Sequence, residues 1–271
     1  MGITFAKAPL IELIAELRWT PQGSTLLEPA GQPGLPPALF LGGTKQEEFY
    51  TRVAAALHKA GFNRSERLSP AGVPFTMHEA VYRFRCDDDN TSVLYQVGFG
   101  IFSVHAVPPY HSWSELLPFV KRGIEILLQS RPEADLKEPF GQTNLRYIDF
   151  FGEHLKQGRN VRSFISDVFG IKTALPDALS KVAASNELKS LFVKITQPTK
   201  VGDLTISAGD GQFNNQPGIL LDTIMSSSET APNLDAIMKN LDAAYAVVHE
   251  LFLGMTKPIQ ALMQPQGVDA R

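Results

Sequence analysis

Two arginines in matching settings, Leu17-Arg18-Trp19 and Leu145-Arg146-Tyr147, are the residues of this chain best suited to bind something charged. Each sits in an apolar run, each run is followed by a long helical pattern, and the two lie about half the chain length apart. If the runs are equivalent strands of a duplicated unit, the two guanidiniums can converge on one anionic group, because the planar fork of arginine matches a carboxylate or phosphate bidentately. Local pairing is the alternative, Arg18 with Glu16 and Arg146 with Asp149.

Other polar residues are candidates for the same site. His105 and His111 flank Pro108-Pro109-Tyr110 at an expected strand-to-helix junction, and with Asp149 they could hold a metal, although histidines are more often satisfied locally or exposed. Tyr110 and Trp113, in Tyr110-His111-Ser112-Trp113, join large apolar bodies to polar handles. Such residues are enriched at interaction surfaces but also serve as staples and core lids. The binding set is therefore Arg18, Trp19, His105, Tyr110, Trp113, Arg146, Tyr147 and Asp149. No catalytic residue, metal ligand or cofactor is assigned.

Catalytic signatures are missing in physically specific ways. The chain has no glycine-rich phosphate loop ending in Lys-Ser/Thr, no dinucleotide-binding glycine fingerprint and no nucleophile elbow. His249-Glu250 lacks the second histidine four residues on that a zinc helix needs. Asp87 to Asn90 lacks the alternating oxygen pattern and glycine of a calcium loop and reads as a solvated hairpin turn. Cys86, the single cysteine, has no base that the sequence supplies, and it excludes an internal disulfide and a four-cysteine metal site.

Composition points to a globular protein of ordinary character: 44% hydrophobic, 20% charged, net charge −3. The 25 basic residues are scattered among 28 acids, so no nucleic-acid partner is expected. Met1 to Leu10 lack a secretory signal and no apolar run reaches bilayer length, so a cytoplasmic location off the membrane is expected.

The patterning predicts an α+β fold of two related halves, 1–137 and 138–271. Each half is a mainly antiparallel sheet with a short helix and a long C-terminal helix packed on one face. Leu10 to Trp19 alternates as a strand bounded by Pro9 and Pro21, and 20–44 is a Pro/Gly-rich loop. Glu47 to Ala60 is an amphipathic helix capped by Gly61. Val81 to Arg85 and Ser92 to Val107 are strands, the second broken by a bulge at Gly98 and Gly100. Ser112 with Glu115 opens a helix ending before Pro132. In the second half, Thr143 to Phe151 is a strand and Val161 to Phe169 a short helix. Leu188 to Thr196, Leu204 to Ala208 and Gly218 to Met225 are strands, Gly209-Asp210-Gly211 is a tight turn, and Asn233 to Met255 is the long helix.

These landmarks resemble a sporadically distributed bacterial family of uncharacterised proteins of about this length. The resemblance rests on Ala8-Pro9-Leu10-Ile11-Glu12 with Glu16-Leu17-Arg18, Gln96-Val97-Gly98 with Phe102-Ser103-Val104, and Tyr110-His111-Ser112-Trp113. It continues through Asn144-Leu145-Arg146-Tyr147-Ile148, Leu220-Leu221-Asp222 and His249-Glu250-Leu251-Phe252. It departs at the longer 20–44 loop and at His105, where the family tends to have Asn. The resemblance carries no reaction; a patchy distribution implies an antitoxin, an immunity protein or a phage-defence component.

The expected function is a non-catalytic module that binds a partner protein, such as a toxin or a defence-system subunit. The alternative is a sensor or enzyme for an anionic small molecule, using Arg18, Arg146 and Tyr147 in a cleft between the halves. The two apolar helices also allow a homodimer.

Overall fold

A computed structural model describes residues 3–22, 26–27, 39–40, 44–70, 75–87, 92–109, 112–183 and 188–268. The architecture is α+β, with antiparallel pairing throughout the registered strands. The chain forms two compact units: unit 1 is Met1–Glu12, Arg146–Met225 and Tyr245–Arg271, and unit 2 is Leu13–Leu145 and Ser226–Ala244. The expected boundary at 137/138 falls inside unit 2.

Strands β1 (Ile3–Phe5) and β2 (Leu10–Arg18) open the chain, followed by β3 (Leu26–Leu27) and β4 (Leu39–Phe40). Most of the expected loop 20–44 lies outside the described residues, but it is not wholly irregular: β3 pairs with β4, and β4 with β6. Helix α1 (Thr44–Lys59), β5 (Arg64–Arg67), β6 (Phe75–Thr76), β7 (Ala80–Arg85), β8 (Val93–Gly98), β9 (Ile101–Ala106) and α2 (Trp113–Ser130) complete the first half of the sequence. The expected turn at Asp87 to Asn90 lies largely outside the described residues.

The second half runs through β10 (Gln142–Phe151), α3 (Glu153–Lys156), α4 (Val161–Asp167), α5 (Asp177–Val182), β11 (Phe192–Pro198), β12 (Asp203–Phe213) and β13 (Gln216–Ser227). It closes with α6 (Leu234–Thr256), α7 (Gln260–Met263) and β14 (Pro265–Val268).

In unit 2 the strands lie in the order β10-β2-β9-β8-β7-β5. Gly98 and Gly100 do not form a bulge. Gly98 stands opposite Ile101, so the chain reverses through Phe99-Gly100 and the expected long strand is the hairpin β8–β9. Gly100 has φ of +70°, and a Cβ there would lie 2.3 Å from the Trp19 carbonyl oxygen.

Helix α2 begins where Ser112 accepts the Glu115 amide and ends as Arg131 leaves helical geometry. Its buried stripe, Leu116, Val120, Ile124 and Leu127, covers the apolar side of β8 and β9. At the point of closest approach a Cβ on Gly123 would sit 2.6 Å from Tyr95 Cε1 and 3.2 Å from Phe102 Cε1. Tyr95 has little freedom to yield, since its ring packs 4.6 Å from Phe62 and its hydroxyl donates to the Phe119 carbonyl at 2.9 Å.

In unit 1 the order is β11-β12-β13-β10-β2. The core is built on three rings, Phe151, Phe164 and Phe169, with centroids 5.2 to 5.3 Å apart. Ala208, Ile219 and Leu221 from the sheet and Ile259 and Met263 from the C-terminal turns close around them. Strand β1 pairs with β14, so both ends of the chain join this unit. Gly209-Asp210-Gly211 is not a turn but part of β12; the reversal comes at Asn214 and Asn215, both with positive φ. The glycines serve close packing instead, since a Cβ would lie 2.6 Å from the Leu191 carbonyl at Gly209 and 2.3 Å from Leu220 Cδ1 at Gly211.

Gly123→Ala tests the helix-on-sheet contact. Alanine favours helix, but the displaced Tyr95 ring outweighs that gain. We expect a loss of about 1–3 kcal/mol by urea unfolding; an unchanged or raised midpoint contradicts the packing described.

Candidate functional site

Strand alternation divides unit 2's sheet into an apolar side under α2 and a polar side. On the polar side a row crosses five strands: Glu66 stands beside Arg83, Arg83 beside Gln96, Gln96 beside Ser103 and Ser103 beside Glu16. Glu16 is the hub of the row. Its Oε1 accepts Arg18 Nε at 2.6 Å and Asn144 Nδ2 at 2.8 Å. The local pairing of Arg18 with Glu16 is thus the one formed, as residues two apart on a strand share a face.

Beside this hub, Ser103 Oγ and His105 Nε2 are 2.8 Å apart, a distance at which imidazole could take the hydroxyl proton. Ser103 is only 3% exposed and His105 7%, so Oγ has no open approach for a substrate carbonyl. The pair satisfies two buried polar groups. His78 lies at the end of the same strands, with Nε2 3.3 Å from the Trp19 carbonyl. Burial, followed by the Arg18 cation, holds its pKa below the ordinary histidine range and its ring neutral at pH 7.

Trp19 belongs to the core of unit 2. It is 3% exposed, with Phe49 and Phe140 edge-on at 6.0 and 5.8 Å. Arg131, which the sequence did not single out, lies over Phe140 at 4.5 Å and over Trp19 at 5.5 Å. Its Nη1 donates to the Glu138 carbonyl at 3.0 Å. Burial lowers the Arg131 pKa, while the Asp135 and Glu138 carboxylates oppose that shift. Trp113 is 5% exposed and its Nε1 donates to Asp242 Oδ1 at 3.0 Å, which ties the start of α2 to α6 two turns in from its start. Tyr110 and His111 lie outside the described residues. A hollow of about 510 Å³ lined by Lys45, Glu48, Arg52 and Glu133 mixes both charges, which gives it no preference for an anion.

In unit 1, Arg146 makes a two-pronged contact with Asp222: Nε to Oδ1 at 2.8 Å and Nη2 to Oδ2 at 2.7 Å. The carboxylate Arg146 engages is therefore Asp222 of β13, where the sequence pointed to Asp149. Alternation instead sets Tyr147 and Asp149 on the side of β10 that carries Phe151. Asp149 is 3% exposed; burial first, and then the Asp222 charge, push its pKa up to about 8. It is a neutral acid at pH 7. Among the described residues no group of three or more His, Cys, Asp and Glu side chains could hold a metal, and no helix is long and apolar enough to cross a membrane.

An open surface of unit 1 is the terminal strand β11, Phe192–Pro198 where the sequence predicts a strand over Leu188 to Thr196. Thr199 N–H reaches the Gly202 carbonyl at 2.8 Å and Asp210 N–H the Leu191 carbonyl at 3.3 Å, with an unbroken antiparallel register between. Alternation then turns the backbone groups of Val193, Ile195 and Gln197 toward β12 and those of Phe192, Lys194 and Thr196 outward from the sheet. The side chains there are open as well: Phe192 is 68% and Ile195 38% exposed. On α5, which precedes β11 in the chain, Val182 is 80% exposed.

No family model matches the chain, and no curated protein matches it. Among solved structures it is similar to the di-domain ARO/CYC StfQ from the steffimycin biosynthetic pathway, at 7% identity over 78% of this chain and 94% of that one. The TM-score is 0.23, too low to carry an argument.

The buried acid yields a pH prediction. Folded Asp149 keeps its proton to about pH 8, whereas an unfolded aspartate releases it near pH 4. Stability therefore falls as pH rises between those values, by at most about 1.4 kcal/mol per unit from this group. Asp149→Asn removes that slope, so the variant should gain on the parent in urea unfolding from pH 5 to pH 8. Parallel curves contradict the assignment.

Proposed function

We propose that this protein is a non-catalytic protein-binding module of the reducing cytoplasm whose docking element is β11. The observation that carries the reading is an edge with no strand partner among the described residues: outward N–H and C=O groups at Phe192, Lys194 and Thr196, with Phe192 and Ile195 exposed beside them. An edge of this kind is a ready template for an extended segment of another chain, with backbone bonds supplying affinity and side chains specificity. The arginines weigh on the same side. Glu16 engages Arg18 and Asp222 engages Arg146, so each guanidinium that could have drawn an anionic small molecule has a carboxylate of its own unit. The lone Cys86 suits a reducing compartment. An antitoxin, immunity or phage-defence role is the form of this function that the sequence resemblance suggests.

Capture from native cells, with edge variants as the control, tests the reading. Thr196→Pro removes an outward N–H and keeps the backbone ladder to β12, losing only the hydroxyl contact to Thr205, and Phe192→Asp removes the exposed ring. We expect a protein recovered in stoichiometric amount with the parent chain to fall at least ten-fold with either variant. Undiminished recovery with both overturns the assignment to β11.

A further inference from the structure

Charge along the free edge says what kind of segment it takes. The stretch 188–202 holds Lys189, Lys194 and Lys200 and lies between Glu187 and Asp203, which leaves it positive in a chain whose net charge is −3. A second copy is a poor occupant, because two such edges centred on each other would bring the two Lys194 side chains together on one side, and like charges across a strand pair destabilise it. The two sides of the strand also differ in chemistry. Val193 and Ile195 share a side with Ile206 and Ala208 of β12, which continues the unit 1 core. Lys194 and Thr196 share the other side with Ser207 and Thr205, where the two threonine hydroxyls lie 3.0 Å apart.

Building on the reading of β11 as the docking element, we propose that its partner presents an extended acidic segment in which carboxylates alternate with apolar residues. The added strand bonds to the outward backbone of Phe192, Lys194 and Thr196. Its apolar residues extend the layer begun by Val193 and Ile195, and its carboxylates lie against Lys194 with Lys189 and Lys200 at either end. The complex is a heterotypic strand addition, weakened by salt because the seam is solvent-exposed.

The probe is a fluorescein-labelled, end-blocked (Glu-Val)4 peptide titrated with the full chain and followed by anisotropy, beside (Lys-Val)4. We expect the acidic peptide to bind at least ten-fold more tightly than the basic one at low salt, and the ratio to shrink as salt rises. Lys194→Glu should reverse the preference. Thr196→Pro should weaken both peptides at the urea midpoint of Thr196→Ala, which loses the same hydroxyl contact but keeps the outward N–H and should bind both peptides as the parent does; this separates a lost edge from a lost fold. Equal binding of the two peptides, no binding of either, or a concentration-dependent dimer abolished by Thr196→Pro each overturns the acidic-segment proposal. Should a captured partner still depend on Phe192 and Thr196 in those cases, the docking role of β11 stands and only the acidic chemistry fails.

Discussion

A charged or polar side chain withdrawn from water must find a partner or give up its charge, and that constraint arranges the polar residues of both units. Glu16 meets it for Arg18 and Asn144 together. Asp222 meets it for Arg146 through two parallel bonds. Arg131 meets it in part with the faces of Trp19 and Phe140. Asp149, buried on the apolar side of β10, meets it by staying protonated. Arg18, Arg146 and Asp149 are thus held by their own units, and among the described residues β11 leaves backbone groups open at the end of the sheet.

The elements that could be read from sequence are those whose signal is local. Pro9 and Pro21 bracket the alternation of β2, Ser112 and Glu115 mark the start of α2, and the apolar stripe of α6 continues through Phe252. Glycine misled twice, because it signals either a positive φ or a close approach and the sequence does not distinguish them. At Gly98-Phe99-Gly100 the expected bulge is a reversal, and at Gly209-Asp210-Gly211 the expected turn is a tightly packed strand.

The candidate site divides along the same line. Glu16 and Arg18 are two apart on one strand, so their pairing was foreseeable. Asp222 lies on β13, far along the chain from Arg146, and only the order of strands brings them together. The exposure of β11 was hidden for the same reason: its composition resembles any half-buried strand, and its place at the end of the sheet depends on where β12, β13 and β10 lie. A local signal existed, though, in three lysines without an acid over 188–202.

The proposed function rests on backbone groups at β11 that have no partner among the described residues and on apolar side chains exposed next to them. The test closest to that claim is amide hydrogen exchange resolved by residue along β11 in the isolated protein. The account requires alternation, with Val193, Ile195 and Gln197 protected by β12 and Phe192, Lys194 and Thr196 exchanging as open amides. Uniform protection of all six would mean that the edge is already covered, and would contradict the assignment of β11 as the docking element.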